Sequence, residues 1–303
     1  MDITNQTQVP QQVTDRSFAA TWRNRRQRGL FLQRLSRLWT YALLIVVAII
    51  ILFPFVWLLS SSLKNEFQFF AIPIQWIPNP PMWSNYVQVF TEYGFGQYIF
   101  NSVWLALYAM IVPTCVSAMV AYGFARFRFP GRSFLLILVL STIMLPSQIL
   151  TVSMYTYFRA LGWVGTFLPI IVPQLFGNAF SIFLFRQFFM GLPRELDEAA
   201  RLDGCGSFRI LWRIILPQSR PVLIVVAIFS FLGSWQDAWN PLIYLNNNGE
   251  RTIPLGLLYF ENPLNPVDTQ LMAATVIALV VPVILYALGQ RYIDSGVSIA
   301  DVK

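Results

Sequence analysis

Long stretches without a charged residue constrain this chain more than any other feature of its sequence. Between Arg37 and Lys64 there are 26 uncharged residues, and between Glu92 and Arg126 there are 33. A helix needs about 20 apolar residues to cross the roughly 30 Å hydrocarbon core of a bilayer. Only 12% of the residues are charged and 56% are hydrophobic, which excludes both a soluble domain and intrinsic disorder. The chain is therefore predicted to be a polytopic membrane protein.

Six uncharged runs predict six transmembrane helices and an all-α fold. The runs are continuously apolar rather than alternating, which is typical of helices and excludes the strands of a closed barrel. The first run is too long for the apolar core of a signal peptide and precedes no small-residue cleavage site, so it is interpreted as a retained helix. The predicted apolar cores are residues 41–59, 100–122, 133–158, 168–185, 221–245 and 269–290.

The distribution of basic residues predicts the direction of these spans. Eighteen of the 21 Lys and Arg lie in the N-terminal segment, after the second and fourth spans, or at the C-terminus. Only Lys64, Arg159 and Arg251 follow the first, third and fifth spans. The positive-inside rule then places both termini in the cytoplasm. This placement explains the net charge of +7 without a nucleic-acid partner. It also divides the chain into a basic cytoplasmic segment 1–37, a six-helix domain 38–292 and a cytoplasmic tail 293–303.

Three absences restrict the chemistry of the chain. It has no His, so His-dependent metal sites and Ser–His–Asp triads are excluded. Cys115 and Cys205 have no paired spacing, which argues against a disulfide and a metal site. No G-x-x-x-x-G-K-[ST] motif occurs, so the chain does not bind ATP through a P-loop. No cofactor and no metal are expected in this chain.

The loop after the fourth span, residues 191–221, has the pattern of two short helices and is named the elbow below. Pro193 suits a first helical turn, and the acidic residues after it favour a helix N-terminus. Gly204 is the expected helix stop, Ser207 the expected cap of a second helix over 208–216, and Pro217 its expected end. On shape alone, a docking surface and an ordinary amphipathic connector are equally compatible with the elbow.

The elbow carries the pattern E-A-A-x3-G-x9-I-x-L-P, and this pattern resembles the cytoplasmic signature of permease subunits of bacterial ATP-binding-cassette (ABC) importers. The segments 125–131, 233–242 and 290–303 are similar to the carbohydrate branch of that family, which includes the maltose permeases. The residues that fill the signature and its acidic neighbour are Glu198, Ala199, Ala200, Asp203, Gly204, Leu216 and Pro217. Cys205 departs from the pattern, since family members often have Ala there; Cys is also small.

The resemblance implies an all-α permease of the maltose-permease type, in the bacterial cytoplasmic (inner) membrane. The elbow would form a coupling helix in a cleft of an ATPase subunit, with the signature residues as docking positions. The implied partners are a second permease subunit, two ATPase subunits that hold ATP and Mg²⁺, an extracytoplasmic solute-binding protein and the lipid membrane. The loop 246–253 would reach toward the binding protein, and the tail 291–303 toward the ATPases. The chain itself would not be an enzyme.

The fifth span contains the only acidic residue inside a predicted span, Asp237. A charge at mid-helix costs about 2.5–3.5 kcal/mol on insertion scales, so such residues are often functional. Polar and aromatic neighbours suit stacking on a sugar and hydrogen bonding to it, and the predicted substrate path is Trp235, Gln236, Asp237, Trp239 and Asn240. The alternative is a hydrated, structural Asp237 near the outer interface.

Three rival functions are left open by the sequence. A permease for glycerol-3-phosphate or another polar solute of the same branch would share the motifs. A membrane-embedded enzyme would need several converging catalytic groups, and the spans offer only Asp237. An ion-coupled secondary transporter would need several buried acids and paired half-helices. The identity of the solute cannot be predicted from the sequence.

Overall fold

The computed structural model describes residues 15–260 and 268–298, and this part of the chain is helical without strands. It divides into two units, Met1–Trp57 and Leu58–Lys303. The expectation of an all-α fold is confirmed. Three parts of the chain lie outside the described residues: residues 1–14 of the predicted segment 1–37, residues 261–267 before α15, and residues 299–303 of the predicted tail.

Helix α1 (Asp15–Ser62) contains the first predicted span and continues through residue 37 without a break. Within the first unit, apolar side chains between Leu38 and Val56 are exposed, as expected for a helix whose surroundings are lipid or partner subunits rather than water. Pro54 lies inside the helix. The predicted boundary at residue 37 is therefore a change in charge and not an end of secondary structure.

The second unit is arranged around α4 (Phe95–Arg126), which at 32 residues is roughly 48 Å long. Pro113, Ser117, Ala121 and Ala125 recur at every fourth residue of α4 and are all buried. Small side chains at this spacing form one face along which neighbouring backbones approach closely. Both α8 (Ala179–Gly191) and α12 (Arg220–Trp235) pack against α4. α12 packs in turn on α15 (Asp268–Ser298), which covers the sixth predicted span and contains Pro282.

Four helical segments of the described residues are long and apolar enough to cross a membrane by themselves, and two bent helix pairs pass the same test when each pair is taken together. One pair lies in the third predicted span, and the other joins the elbow segment Ser207–Gln218 to α12 with a bend of 88°. The third span is divided into α5 (Arg132–Ser141) and α6 (Ser147–Ala160), bent by 101° next to Pro146. Proline removes a backbone donor and disfavours a helical residue before it, which accounts for the break. By length and composition, the described residues therefore provide four spans, or six when each bent pair is counted as one.

The fourth and fifth predicted spans are interrupted as well. Before α8, the fourth consists of α7 (Leu168–Ile171) and a 3₁₀ turn at Pro173–Phe176. The fifth stops at Trp235 and resumes as α13 (Trp239–Tyr244), with Asp237 in the gap. Short helices fill the connections: α2 (Glu66–Phe69), α3 (Ser84–Thr91) and α14 (Ile253–Leu258) at one end of the unit, and α9 to α11, described below, at the other.

Candidate functional site

The elbow begins with helix α9 (Glu195–Leu202), as the sequence predicts. Its first turn contains three acidic residues, Glu195, Asp197 and Glu198, which interact favourably with the positive end of the helix dipole. The helix ends in a Schellman motif: the N–H of Cys205 donates to the Ala200 carbonyl at 2.9 Å, and that of Gly204 to the Arg201 carbonyl at 3.0 Å. Gly204 has φ +75°, so the predicted helix stop at this glycine is confirmed.

The second half of the elbow differs from the prediction at both ends. Its N-cap is Gly206, which has no side chain to make a capping bond, and Ser207 is the first helical residue instead of the predicted cap. Helix α10 (Ser207–Ile210) passes into a π-helical turn, Leu211–Ile215, and then into α11 (Leu216–Gln218), so the expected end at Pro217 is also wrong. In an α-helix, Pro217 could not donate a backbone hydrogen bond, and its ring would clash with the preceding turn. The wider π turn before it leaves room for the ring and does not require that hydrogen bond.

A buried ion pair holds α9 against the end of α4. Nε of Arg126 lies 3.1 Å from Oδ2 of Asp197, and these side chains are 4% and 9% exposed. The Tyr122 hydroxyl donates to Oδ1 of Asp197 at 3.0 Å, and the Arg126 guanidinium donates to the Leu192 carbonyl at 3.2 Å. A charge buried in a protein needs such partners. Here Oδ1 accepts a hydrogen bond from Tyr122, whereas Oδ2 and Nε of Arg126 face each other at ion-pair distance without hydrogen-bond geometry. The elbow is thus fixed to the bundle from its inner side.

Sequence reasoning missed this ion pair. Asp197 looks like one of three helix-starting acids, and Arg126 like one of many arginines beside a span. The available signal was the position of Asp197 one residue before the E-A-A signature, on the same helix face as the buried Ala200, three residues later.

The predicted docking residues fall into two groups. Glu198, Ala199, Asp203, Gly204 and Pro217 are exposed, whereas Ala200 and Leu216 are buried in the core cluster formed with α4 and α8. Ala200 and Leu216 therefore position the elbow instead of offering a surface.

The outer surface of the elbow also contains apolar side chains that the prediction did not include. Leu202 is 90% exposed, Phe208 is 67% exposed, and Phe208 lies against Trp212 with ring centroids 5.9 Å apart. Large apolar side chains this exposed in a polar loop are typical of an interaction site. We name this set, together with Glu198 and Asp203, the outer face of the elbow.

The predicted substrate path is only partly open to a solute. The Trp235 indole is 3% exposed, stacks on Phe231 and donates to the Ala278 carbonyl at 3.2 Å, so it packs α12 on α15. Asp237 accepts hydrogen bonds from the backbone N–H of Asn240 at 3.1 Å and from its side-chain amide at 2.7 Å, which stabilises the start of α13. Gln236, Trp239 and Asn240 are at least partly exposed, and Trp239 donates to the Thr151 hydroxyl.

At the opposite end of α4 from the elbow, aromatic and polar side chains line a cavity of about 450 Å³. Tyr93 stacks on Phe260 with centroids 4.4 Å apart, and the Arg251 guanidinium lies 3.5 Å above the Tyr259 ring. Asn101 lies one turn after Gln97 on α4. Its side-chain amide holds the loop between α13 and α14 by donating to the Gly249 and Arg251 carbonyls, both at 2.9 Å. The polar residues of the lining are Glu92, Gln97, Asn248 and Arg251.

Comparison with known proteins decides the family. Residues 114–299 match the family model described as "Binding-protein-dependent transport system inner membrane component", which is more than half of the chain. The chain belongs to this family. The matched region contains the second half of α4, the elbow and α15.

Two curated relatives support the assignment over most of the chain. The chain is 32% identical to the probable ABC transporter permease protein YurM of Bacillus subtilis, covering 88% of each protein. It is 34% identical to the arabinooligosaccharides transport system permease protein AraQ of Halalkalibacterium halodurans, over 85% of this chain and 93% of that one. Like these relatives, the chain is a permease subunit of an ABC importer and not an enzyme.

A solved structure supports the fold. A chain of a bacterial ABC transporter involved in the import of the acidic polysaccharide alginate superposes with a TM-score of 0.74, at 21% identity, over 86% of this chain and 97% of that one. The expected ABC importer permease fold is confirmed. The chain is a multi-pass protein of the inner membrane that works with the other components of a binding-protein-dependent system.

Proposed function

We propose that the outer face of the elbow is the site at which this permease receives the force of ATP hydrolysis from an ATPase subunit. One observation supports this most directly: the elbow is held rigidly from inside by the Arg126–Asp197 pair, while Leu202 and Phe208 on its outer side are exposed. Because the elbow is fixed to α4, movement of a subunit bound to its exposed apolar side chains would also move α4, whose far end lies roughly 48 Å away.

The proposal includes the rest of the assembly. A second permease subunit pairs with this one, two ATPase subunits hold ATP and Mg²⁺, and an extracytoplasmic binding protein delivers the solute. The proposal also places both termini in the cytoplasm. With six spans they are on the same side of the membrane as the arginine-rich loops after the second and fourth spans, which is the side of the elbow and of the ATPase.

Replacement of Leu202 by Asp tests the docking site. We expect the tagged permease to lose its ATPase subunits on purification, because a charge on the apolar outer face cannot be desolvated against a partner. Leu161→Asp is the matched control, since Leu161 is 45% exposed at the end of α6, outside the elbow. Retention of the ATPases by Leu202→Asp with full transport would contradict the proposal.

For the solute, we propose a neutral oligosaccharide. The cavity at the far end of α4 supports this, because tyrosine rings offer faces for sugar rings while Gln97 and Asn248 offer amide groups for their hydroxyls. The name of the relative AraQ points to the same class. The rival solute, glycerol-3-phosphate, is favoured by Arg251 in the same cavity, although this guanidinium already lies on Tyr259.

Stimulation of ATP hydrolysis separates these two solutes. In proteoliposomes with the complete importer and its binding protein, we expect neutral oligosaccharides to stimulate ATP hydrolysis and glycerol-3-phosphate to have no effect. The reverse result would reject the carbohydrate assignment and leave the docking proposal intact. Asp237→Asn in the same assay tests the predicted path, because an unchanged rate and affinity would leave Asp237 with its structural role alone.

A further inference from the structure

A second cavity, of about 390 Å³, lies at the elbow end of the molecule between the loop after α4 and helix α8. Three arginines line it, namely Arg128, Arg132 and Arg186, together with the hydroxyl-bearing Ser133. Among the described residues of its lining there is no Asp or Glu. Arg186 lies less than two turns before the end of α8, inside a segment long and apolar enough to cross the membrane.

These arginines have no acidic partner within the described part of the chain, where the ion pair at this end is between Arg126 and Asp197. Arg132 donates to the Phe127 carbonyl at 3.3 Å, and Nε of Arg186 is buried without a hydrogen-bond partner. Arg186 as a whole is half-buried, but a buried N–H of a charged group left without an acceptor is costly, so an anion is expected beside it. The N-terminus of α5, which begins at Arg132, adds the positive end of a helix dipole to the same cavity.

The surroundings of the cavity indicate the kind of anion. On α5, Phe134, Ile137 and Leu138 recur at helical spacing and are 65%, 65% and 48% exposed. Phe134 both lines the cavity and begins this apolar face. A ligand with a phosphate in the cavity and hydrocarbon along α5 would satisfy both surfaces, whereas free phosphate would satisfy only the first.

We propose that this cavity binds the phosphate group of an anionic phospholipid, whose acyl chains lie along the exposed face of α5. Arginine is suited to this ligand because its guanidinium group pairs with two phosphate oxygens at once. The site begins two residues after Arg126, so a bound lipid would rest against the segment of chain that anchors the elbow.

Native mass spectrometry of the complete importer in detergent tests the proposal, with phosphatidylglycerol and phosphatidylcholine of identical acyl chains as probes. We expect wild type to bind phosphatidylglycerol preferentially. Each arginine near a phosphate contributes about five-fold in affinity, so Arg132→Gln combined with Arg186→Gln should weaken phosphatidylglycerol binding about 25-fold. Arg159→Gln, which removes the same charge from the end of α6, is the matched control and should bind as wild type does.

Further variants keep the test decisive if the double variant fails to assemble. Arg128 is exposed, so Arg128→Gln should fold normally and lose about five-fold in phosphatidylglycerol binding. Arg186→Lys should retain preferential binding because the charge remains. Equal binding of both lipids by wild type, or unchanged binding by the arginine variants, would overturn the proposal. Displacement of phosphatidylglycerol by a moderate excess of inorganic phosphate would show a free-phosphate site and reject the lipid.

Discussion

At the scale of single residues, Asp197 shows how a charge inside the bundle gives the elbow a fixed position. Its carboxylate faces Arg126 and Tyr122, and the Arg126 guanidinium also reaches the Leu192 carbonyl at the start of the elbow. Loss of one partner leaves the other charge buried and unpaired, which is costlier than the loss of a surface pair. The contacts of Asp197 therefore fix the position of α9 more strongly than the other two acidic residues of its first turn do.

We expect Asp197→Asn to destabilise the permease by about 3–5 kcal/mol, because Arg126 would stay buried without its counter-charge. Thermal unfolding of the purified complex measures the effect. Glu195→Gln removes a charge of the same sign from the same helix, but at an exposed position, and should change the melting temperature little. Similar melting temperatures for Asp197→Asn and wild type would show that the ion pair is not important for stability.

At Gly204, substitutions can distinguish the effect of backbone conformation from the effect of a steric contact with the partner. Its φ is +75°, and a Cβ atom at this position would have no atom within 4 Å. We expect Gly204→Val to weaken ATPase co-purification through backbone strain, which costs about 1–2 kcal/mol in this region for a residue with a Cβ. Gly204→Asn should be milder, because Asn enters this conformation more readily. Equal losses with Val and Asn would instead indicate a steric contact with the partner.

At the scale of elements, the sequence predicted the helices well where a pattern is local. The Schellman stop of α9 follows from one glycine after an acidic, apolar-faced run, and the break of the fifth span coincides with Asp237. An interruption at Pro146 was predicted from the proline, but neither the 101° size of the bend between α5 and α6 nor the π turn before Pro217 was. A hydropathy run shows that a segment is apolar, but its direction depends on packing against neighbours distant in sequence.

The contact between α14 and α4 gives a prediction for an element. A Cβ on Gly256 would clash with Cδ2 of Tyr98, whose ring is buried and cannot move aside easily. We expect Gly256→Ala to separate the two helices and destabilise the protein by about 1–3 kcal/mol, as overpacking does. The control is Gly233→Ala in α12, where a Cβ would meet nothing within 4 Å.

Thermal unfolding of both glycine variants in the complete importer is the measurement. Gly233→Ala should leave the stability unchanged or raise it by about 1 kcal/mol, since alanine favours helices more than glycine does. If Gly256→Ala were as stable as Gly233→Ala, the close approach of α14 to Tyr98 would be wrong.

At the scale of the whole molecule, the arginine-rich features and the aromatic cavity of the second unit lie at opposite ends of α4. The arginines around Arg126, the elbow and the arginine-lined cavity lie at one end of α4, and the aromatic cavity with Arg251 lies at the other. The sequence predicted this division, because charge next to a span reports on the side of the membrane. It did not predict the two cavities, since their lining residues come from segments far apart in the chain, such as Glu92 and Phe260 in the aromatic cavity.

The native cysteines allow the proposed direction of this arrangement to be tested. Cys205 lies at the turn of the elbow and is partly exposed, whereas Cys115 lies within α4. With Cys115 replaced by Ala, we expect a membrane-impermeant maleimide to modify Cys205 in inverted vesicles stripped of their ATPase subunits and not in intact spheroplasts, because the positive-inside rule places the elbow in the cytoplasm. A Cys introduced at Gly249 in a variant with Cys115→Ala and Cys205→Ser should react with the opposite preference. Labelling of Cys205 from the outside would reverse the orientation, and an ATPase could then not reach the outer face of the elbow.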